Sequence, residues 1–101
     1  MKVALAQINP TVGGFPGNEE MLRAAYQRGV AAGADLVVTP ELVVTGYPPR
    51  DLLLKNGFIK KNLEVVERLA AETGETGLIL GCVGRHEGKP GRNATNSAAL
   101  L

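Results

Sequence analysis

Three apolar runs without alternation constrain the fold more than any other feature: Val3-Ala4-Leu5-Ala6, Leu36-Val37-Val38 and Leu78-Ile79-Leu80-Gly81-Cys82-Val83. A strand that is apolar at successive positions has both faces buried, the habit of sheets covered by helices. Between the first two runs, Pro10, Gly13, Gly14, Pro16 and Gly17 predict a loop over residues 9–17. Asn18 then stands where an N-cap is wanted, and Glu19-Glu20 put negative charge in the first helical turn. Leu22, Ala25, Tyr26, Gly29, Val30 and Gly33 recur at the spacing of one buried helix face, and Gly33 is placed to end that helix. The strand–helix–strand unit that results is predicted to be parallel.

Pro40 ends the second strand, and Gly46 with Pro48-Pro49 makes residues 39–51 irregular. A second helix is expected from about residue 52 or 58 to 73, with Ile59, Leu63, Val66 and Ala70 on its buried face and Gly74 ending it. Residues 78–83 form the third strand, residues 85–92 a hairpin tip, and residues 96–101 the returning strand. The fold class is therefore α/β, a βαβ unit followed by a helix and a β-hairpin. Ser97-Ala98-Ala99-Leu100-Leu101 lies within an apolar strand, whose unpaired edge would invite association. Residues 1–101 are accordingly read as the front part of one larger domain.

Composition removes several classes of function. With 45% apolar and 21% charged residues, the chain has enough apolar surface to offset chain entropy, which excludes a disordered segment. A net charge of +1 gives no electrostatic footprint for nucleic acid or an anionic membrane. No apolar run approaches the roughly 20 residues of a membrane span, and Met1-Lys2-Val3-Ala4-Leu5-Ala6-Gln7 turns polar too soon for a signal peptide, so a cytoplasmic location is expected. One cysteine and one histidine build neither a disulfide framework nor a zinc site, and no metal is expected. No GxGxxG, GxxxxGK[ST] or HExxH occurs, and Asn93-Ala94-Thr95 is read as a chance glycosylation sequon.

Among residues that could carry chemistry, Glu41 comes first. It follows the carboxyl end of a buried strand, where open α/β sheets place ligands. Flanking Pro40 and Leu42-Val43-Val44 would exclude water and suit a carboxyl to proton transfer near neutrality. Position alone speaks more for a solvated loop carboxylate or a helix cap, since most glutamates are exposed. Cys82 lies inside an apolar strand and reads as a small core residue rather than a nucleophile. His86 falls on the hairpin tip as a solvated residue, and Lys55, Lys60 and Lys61 mark the wet side of a helix.

Residues Val3-Ala4-Leu5-Ala6-Gln7-Ile8-Asn9-Pro10-Thr11-Val12-Gly13, Ala32-Gly33-Ala34-Asp35-Leu36-Val37-Val38 and Thr39-Pro40-Glu41-Leu42 together resemble the start of the carbon–nitrogen hydrolase (nitrilase) family. Thr45-Gly46-Tyr47-Pro48-Pro49-Arg50-Asp51-Leu52-Leu53-Leu54 and Asn96-Ser97-Ala98 narrow the likeness to the glutaminase domain of glutamine-dependent NAD synthetases. The resemblance implies a four-layer α-β-β-α sandwich, of which this chain supplies a third or less. It also implies a Glu–Lys–Cys triad with Glu41 as the general base that takes the cysteine proton. The thiolate attacks the glutamine side-chain amide, ammonia leaves, and water hydrolyses the thioester. The Lys stabilises the tetrahedral oxyanion. Tyr47, beyond Glu41 in the same stretch, would help shape the substrate pocket or else pack as a loop aromatic.

In the family the Lys lies beyond the Asn-Ser-Ala strand and the Cys further still, so the resemblance leaves this chain with one of three catalytic groups and no activity alone. The synthetase domain, which would use ATP and Mg2+ to amidate deamido-NAD, is absent from these residues. The implied partners are glutamine, with deamido-NAD and ATP acting through that absent domain, and a homo-oligomer of the full-length protein. Two other readings are kept: a stand-alone nitrilase-type amidase, and a non-catalytic product stabilised by a partner along its unfinished edge.

Overall fold

The computed structural model describes residues 1–55, 57–85 and 94–101. Their elements run β1 (Val3–Leu5), α1 (Phe15–Ala31), β2 (Leu36–Val38), a short 3-10 helix (Arg50–Leu54), α2 (Phe58–Glu72), β3 (Gly77–Arg85) and β4 (Ala94–Leu100). The strands lie in sequence order in one sheet: β1, β2 and β3 are parallel, and β4 returns antiparallel on β3 from Ile79↔Leu100 to Arg85↔Ala94. The βαβ unit, second helix and antiparallel return are thus those the apolar runs predict. The expected hairpin tip and His86 lie outside the described residues, apart from Arg85 at the end of β3.

Side chains alternate between the two faces of a sheet. One row, with Val37, Leu78, Leu80 and Cys82, packs with Leu22, Tyr26, Val65 and Leu69 of the two helices as the core. Gly29 lets α1 approach that sheet closely, since a Cβ there would stand 2.5 Å from Val37 Cγ2. The opposite row carries Val3, Leu5 and Leu100, all exposed. The described residues therefore make two layers, helices on a sheet. The expectation that the first strand is buried on both faces fails here: only its Ala4 side packs on the core, and no described element covers Val3 and Leu5 on the opposite face.

Two helix expectations also shift, each because a buried asparagine looks polar in the sequence. Helix α1 begins at Phe15 behind Gly14, with Pro16 in the first turn, where a missing N–H costs nothing. Asn18 is therefore not the N-cap. It is buried inside the helix, and its side chain binds Thr11 N (2.8 Å), Thr11 O (2.8 Å) and Val44 O (3.0 Å). Val30 and Gly33, placed on the buried face by their spacing, are exposed, although Gly33 does end the helix at φ +79°. On α2 the buried face is Phe58, Asn62, Val65 and Leu69, whereas Ala70 is exposed and Ile59, Leu63 and Val66 are half-buried. Asn62 belongs to that face because its amide both donates to Val83 O (2.5 Å) and accepts from Val83 N (3.0 Å).

The helices are joined at their outer surface by Glu19, which accepts from Arg68 (2.8 Å) and Arg23 (2.7 Å), while Arg23 also pairs with Glu72 (2.6 Å). The Arg68 hydrogen bond, and after it Arg23, hold the Glu19 carboxyl below its ordinary value of 4.5 against the opposing effect of burial. A carboxyl depressed in the native state stabilises fully above its unfolded value, and that contribution is lost as pH falls through the lower native value. Glu19→Gln should therefore be less stable than the parent above about pH 5 and converge with it in acid. Urea unfolding at a series of pH values checks this, and a constant gap down to the acid end would reject it.

Candidate active site

The site is built where β2 stops short and β3 runs on. Beyond Ile79 the flank of β3 that β2 leaves open finds other partners. Thr39 donates N–H and hydroxyl to Ile79 O (3.1 and 3.0 Å), and its hydroxyl accepts from Gly81 N (3.0 Å). Val44 N donates to Gly81 O (3.2 Å), and Asn62 takes both backbone groups of Val83. Buried backbone groups left unpaired would be costly, so this chain of contacts fixes the loop after β2 against the strand.

Gly81 sets how closely that loop lies. A Cβ there would meet Pro40 O at 2.2 Å, Leu42 N at 2.8 Å and Glu41 C at 3.1 Å, so the Pro40-Glu41-Leu42 backbone crosses directly over the bare glycine. Leu42 then adopts a left-handed backbone (φ 48°), a conformation a leucine keeps only when its surroundings impose it. This turns Leu42, Val43, Val44 and Thr45 inward, where all are buried. The second loop at this end of the sheet is locked to the first: Gly13 N donates to Thr45 O (2.8 Å), Asn18 bridges Thr11 and Val44, and Gly46 (φ +80°) lies against the Val12 backbone, leaving no room for a Cβ.

On this frame Glu41 is exposed rather than enclosed by its apolar neighbours, because the left-handed turn sends Leu42, Val43 and Val44 into the core and leaves the carboxylate outside. Its Oε1 accepts a hydrogen bond from Asn96 Nδ2 of β4. Tyr47, 63% exposed and followed by a cis peptide bond to Pro48, is not a packed loop aromatic. Cys82 follows Gly81 and so points to the other face, into the core, where burial pushes its thiol up. It is the small core residue its sequence setting predicts, turned away from the Glu41 loop.

Among the described residues no three or more His, Cys, Asp or Glu stand together to hold a metal ion. Nor is any described helix long and apolar enough to cross a membrane. What the arrangement offers chemically is a held carboxylate at the carboxyl end of the parallel strands, able to accept a proton from a group brought to the open face. Sequence reasoning placed Glu41 but missed Thr39, Asn18 and Asn96 as its supports. Of these only Asn96 carried a signal, as part of Asn96-Ser97-Ala98.

Comparison with known proteins gives this geometry a family. The carbon-nitrogen hydrolase profile matches residues 2–101. The chain belongs to the carbon-nitrogen hydrolase family. Within the family it is 39% identical over 103 residues to the glutamine-dependent NAD(+) synthetase of Synechocystis sp., covering 98% of this chain and 18% of that relative. Glutamine-dependent NAD+ synthetase from Acinetobacter baumannii superposes on this chain with a TM-score of 0.83 at 36% identity, over 98% of this chain and 18% of that one. An amidase from Nesterenkonia sp. shares the fold alone, at a TM-score of 0.74 and 24% identity over 83% of this chain and 32% of its own. The chain thus spans less than a fifth of the synthetases it matches.

Proposed function

We propose that these residues are the front of the glutaminase domain of a glutamine-dependent NAD synthetase, with Glu41 as the general base of a Glu–Lys–Cys triad. The observation that carries the reading is the Glu41 carboxylate, held by Asn96 at the carboxyl end of the parallel strands in a chain of this family. In this reading Glu41 takes the proton of a cysteine supplied by the rest of the domain, and the thiolate releases ammonia from glutamine. The ammonia then serves ATP-dependent amidation of deamido-NAD in a separate synthetase domain, which would also hold Mg2+. Tyr47, exposed beside the buried stretch that follows Glu41, would line the glutamine pocket. The full-length protein is expected to be a cytoplasmic homo-oligomer.

The reading favours a synthetase over a stand-alone amidase because the Synechocystis and Acinetobacter baumannii synthetases match 98% of the chain at 39% and 36% identity, against 83% at 24% for the Nesterenkonia amidase. The complete gene product should form NAD from deamido-NAD with ATP and glutamine, and the 101-residue chain alone should release no ammonia from glutamine. Hydrolysis of simple amides with no ATP-dependent NAD formation would overturn the proposal.

A further inference from the structure

The Glu41–Asn96 hydrogen bond joins residues far apart in the chain, on a loop and a strand, and both side chains are exposed. An exposed glutamate left to itself samples many rotamers, and ordering it costs side-chain entropy, so a single bound orientation needs a frame. The fold supplies one. The Pro40-Glu41-Leu42 backbone rests on Gly81, whose partner across the β3–β4 ladder is Ala98. Asn96 lies two residues from Ala98 along β4 and therefore on the same face. Bare Gly81 admits the loop backbone, which brings Glu41 within reach of Asn96. Asn96 is itself placed by the β3–β4 ladder, in which it stands opposite Val83, the residue whose backbone groups Asn62 takes on the other flank.

Resting on the reading of Glu41 as the proton acceptor, we propose that Asn96 is a positioning residue: its amide engages Oε1 and presents the second carboxylate oxygen to the proton being transferred. The residue type fits the task. An amide donates to a carboxylate without titrating, whereas a carboxylate in its place would repel Glu41 and a lysine would compete as a partner for the charge. The arrangement also explains why the loop is braced so heavily on β3, since an error of about 1 Å in a reacting group can cost on the order of a hundredfold in rate.

The test uses the complete gene product for both kinetics and spectroscopy. Asn96→Asp keeps the shape and loses the donor; kcat for ammonia release from glutamine should fall on the order of ten- to a hundredfold with KM nearly unchanged. Asn96→Gln keeps a donor and should recover most of that loss. In the complete gene product the Asn96 side-chain NH2 resonances should move on Glu41→Gln, as an amide donating to that carboxylate must. The kcat loss at unchanged KM and its recovery in Asn96→Gln separate positioning from a merely structural role. Unchanged kcat in Asn96→Asp, equal losses in both Asn96 variants, or NH2 resonances blind to Glu41→Gln would each overturn the positioning role. Glutamine hydrolysis that survives Glu41→Gln sinks instead the general-base reading on which it rests.

Discussion

Glu41→Gln in the complete gene product should abolish NAD formation from glutamine, by at least about a thousandfold, while leaving synthesis from free ammonia intact. Glutamine keeps the length and shape of the side chain and its acceptor oxygen, so the hydrogen bond from Asn96 has a partner and the loop has no reason to move. What is lost is the ability to take a proton. Loss of a triad member removes several orders of magnitude even when the rest of the site stands, because the groups act as a unit. Ammonia supplied from solution bypasses that step. The measurement is a pair of initial rates with each nitrogen source. Loss of both activities would make Glu41 a structural residue, and retention of both would place the base elsewhere.

What the sequence displayed and what it concealed separate along physical lines. The strands were visible because a short apolar run bounded by turn residues, such as Leu36-Val37-Val38 before Pro40, reads as a strand, and it pairs with β1 and β3 on either side. The buried face of α2 was hidden by Asn62, because hydrophobic periodicity cannot register a polar side chain that is buried to satisfy a strand's backbone. Asn18 was misread in the same way, its amide serving a neighbouring loop rather than a helix end. Glu41 stands past the carboxyl end of a strand, and position alone already spoke for an exposed carboxylate; what the sequence hid is how the chain keeps it outside its apolar neighbours. Exposure depends on the left-handed backbone at Leu42, a conformation the sequence does not announce at a leucine. Asn96 was visible only as part of Asn96-Ser97-Ala98, and its contact with Glu41 was not, because that contact follows from the β3–β4 register and joins residues far apart in the chain.

The residue on which these features converge is Gly81, and Gly81→Ala is expected to be among the most damaging single substitutions in the chain. The atoms its Cβ would meet, Pro40 O at 2.2 Å, Leu42 N at 2.8 Å and Glu41 C at 3.1 Å, all belong to backbone, so no side chain can swing aside to make room. The loop must lift, and the Val44–Gly81 and Thr39–Gly81 hydrogen bonds lengthen with it. Forced overpacking of this kind costs roughly 3 kcal/mol or more. Gly84→Ala provides the contrast: its Cβ would meet Ser97 Oγ at 2.5 Å and Thr95 Oγ1 at 2.7 Å, both at the ends of side chains that can change rotamer. It should cost only about 1 kcal/mol. Urea unfolding of the two variants decides between them. In the complete gene product Gly81→Ala should also lose glutamine hydrolysis at temperatures where the fold survives, because lifting the loop carries Glu41 away from Asn96. Equal stability losses for the two variants would mean that the loop is not braced on β3, and the position of Glu41 would then need another explanation.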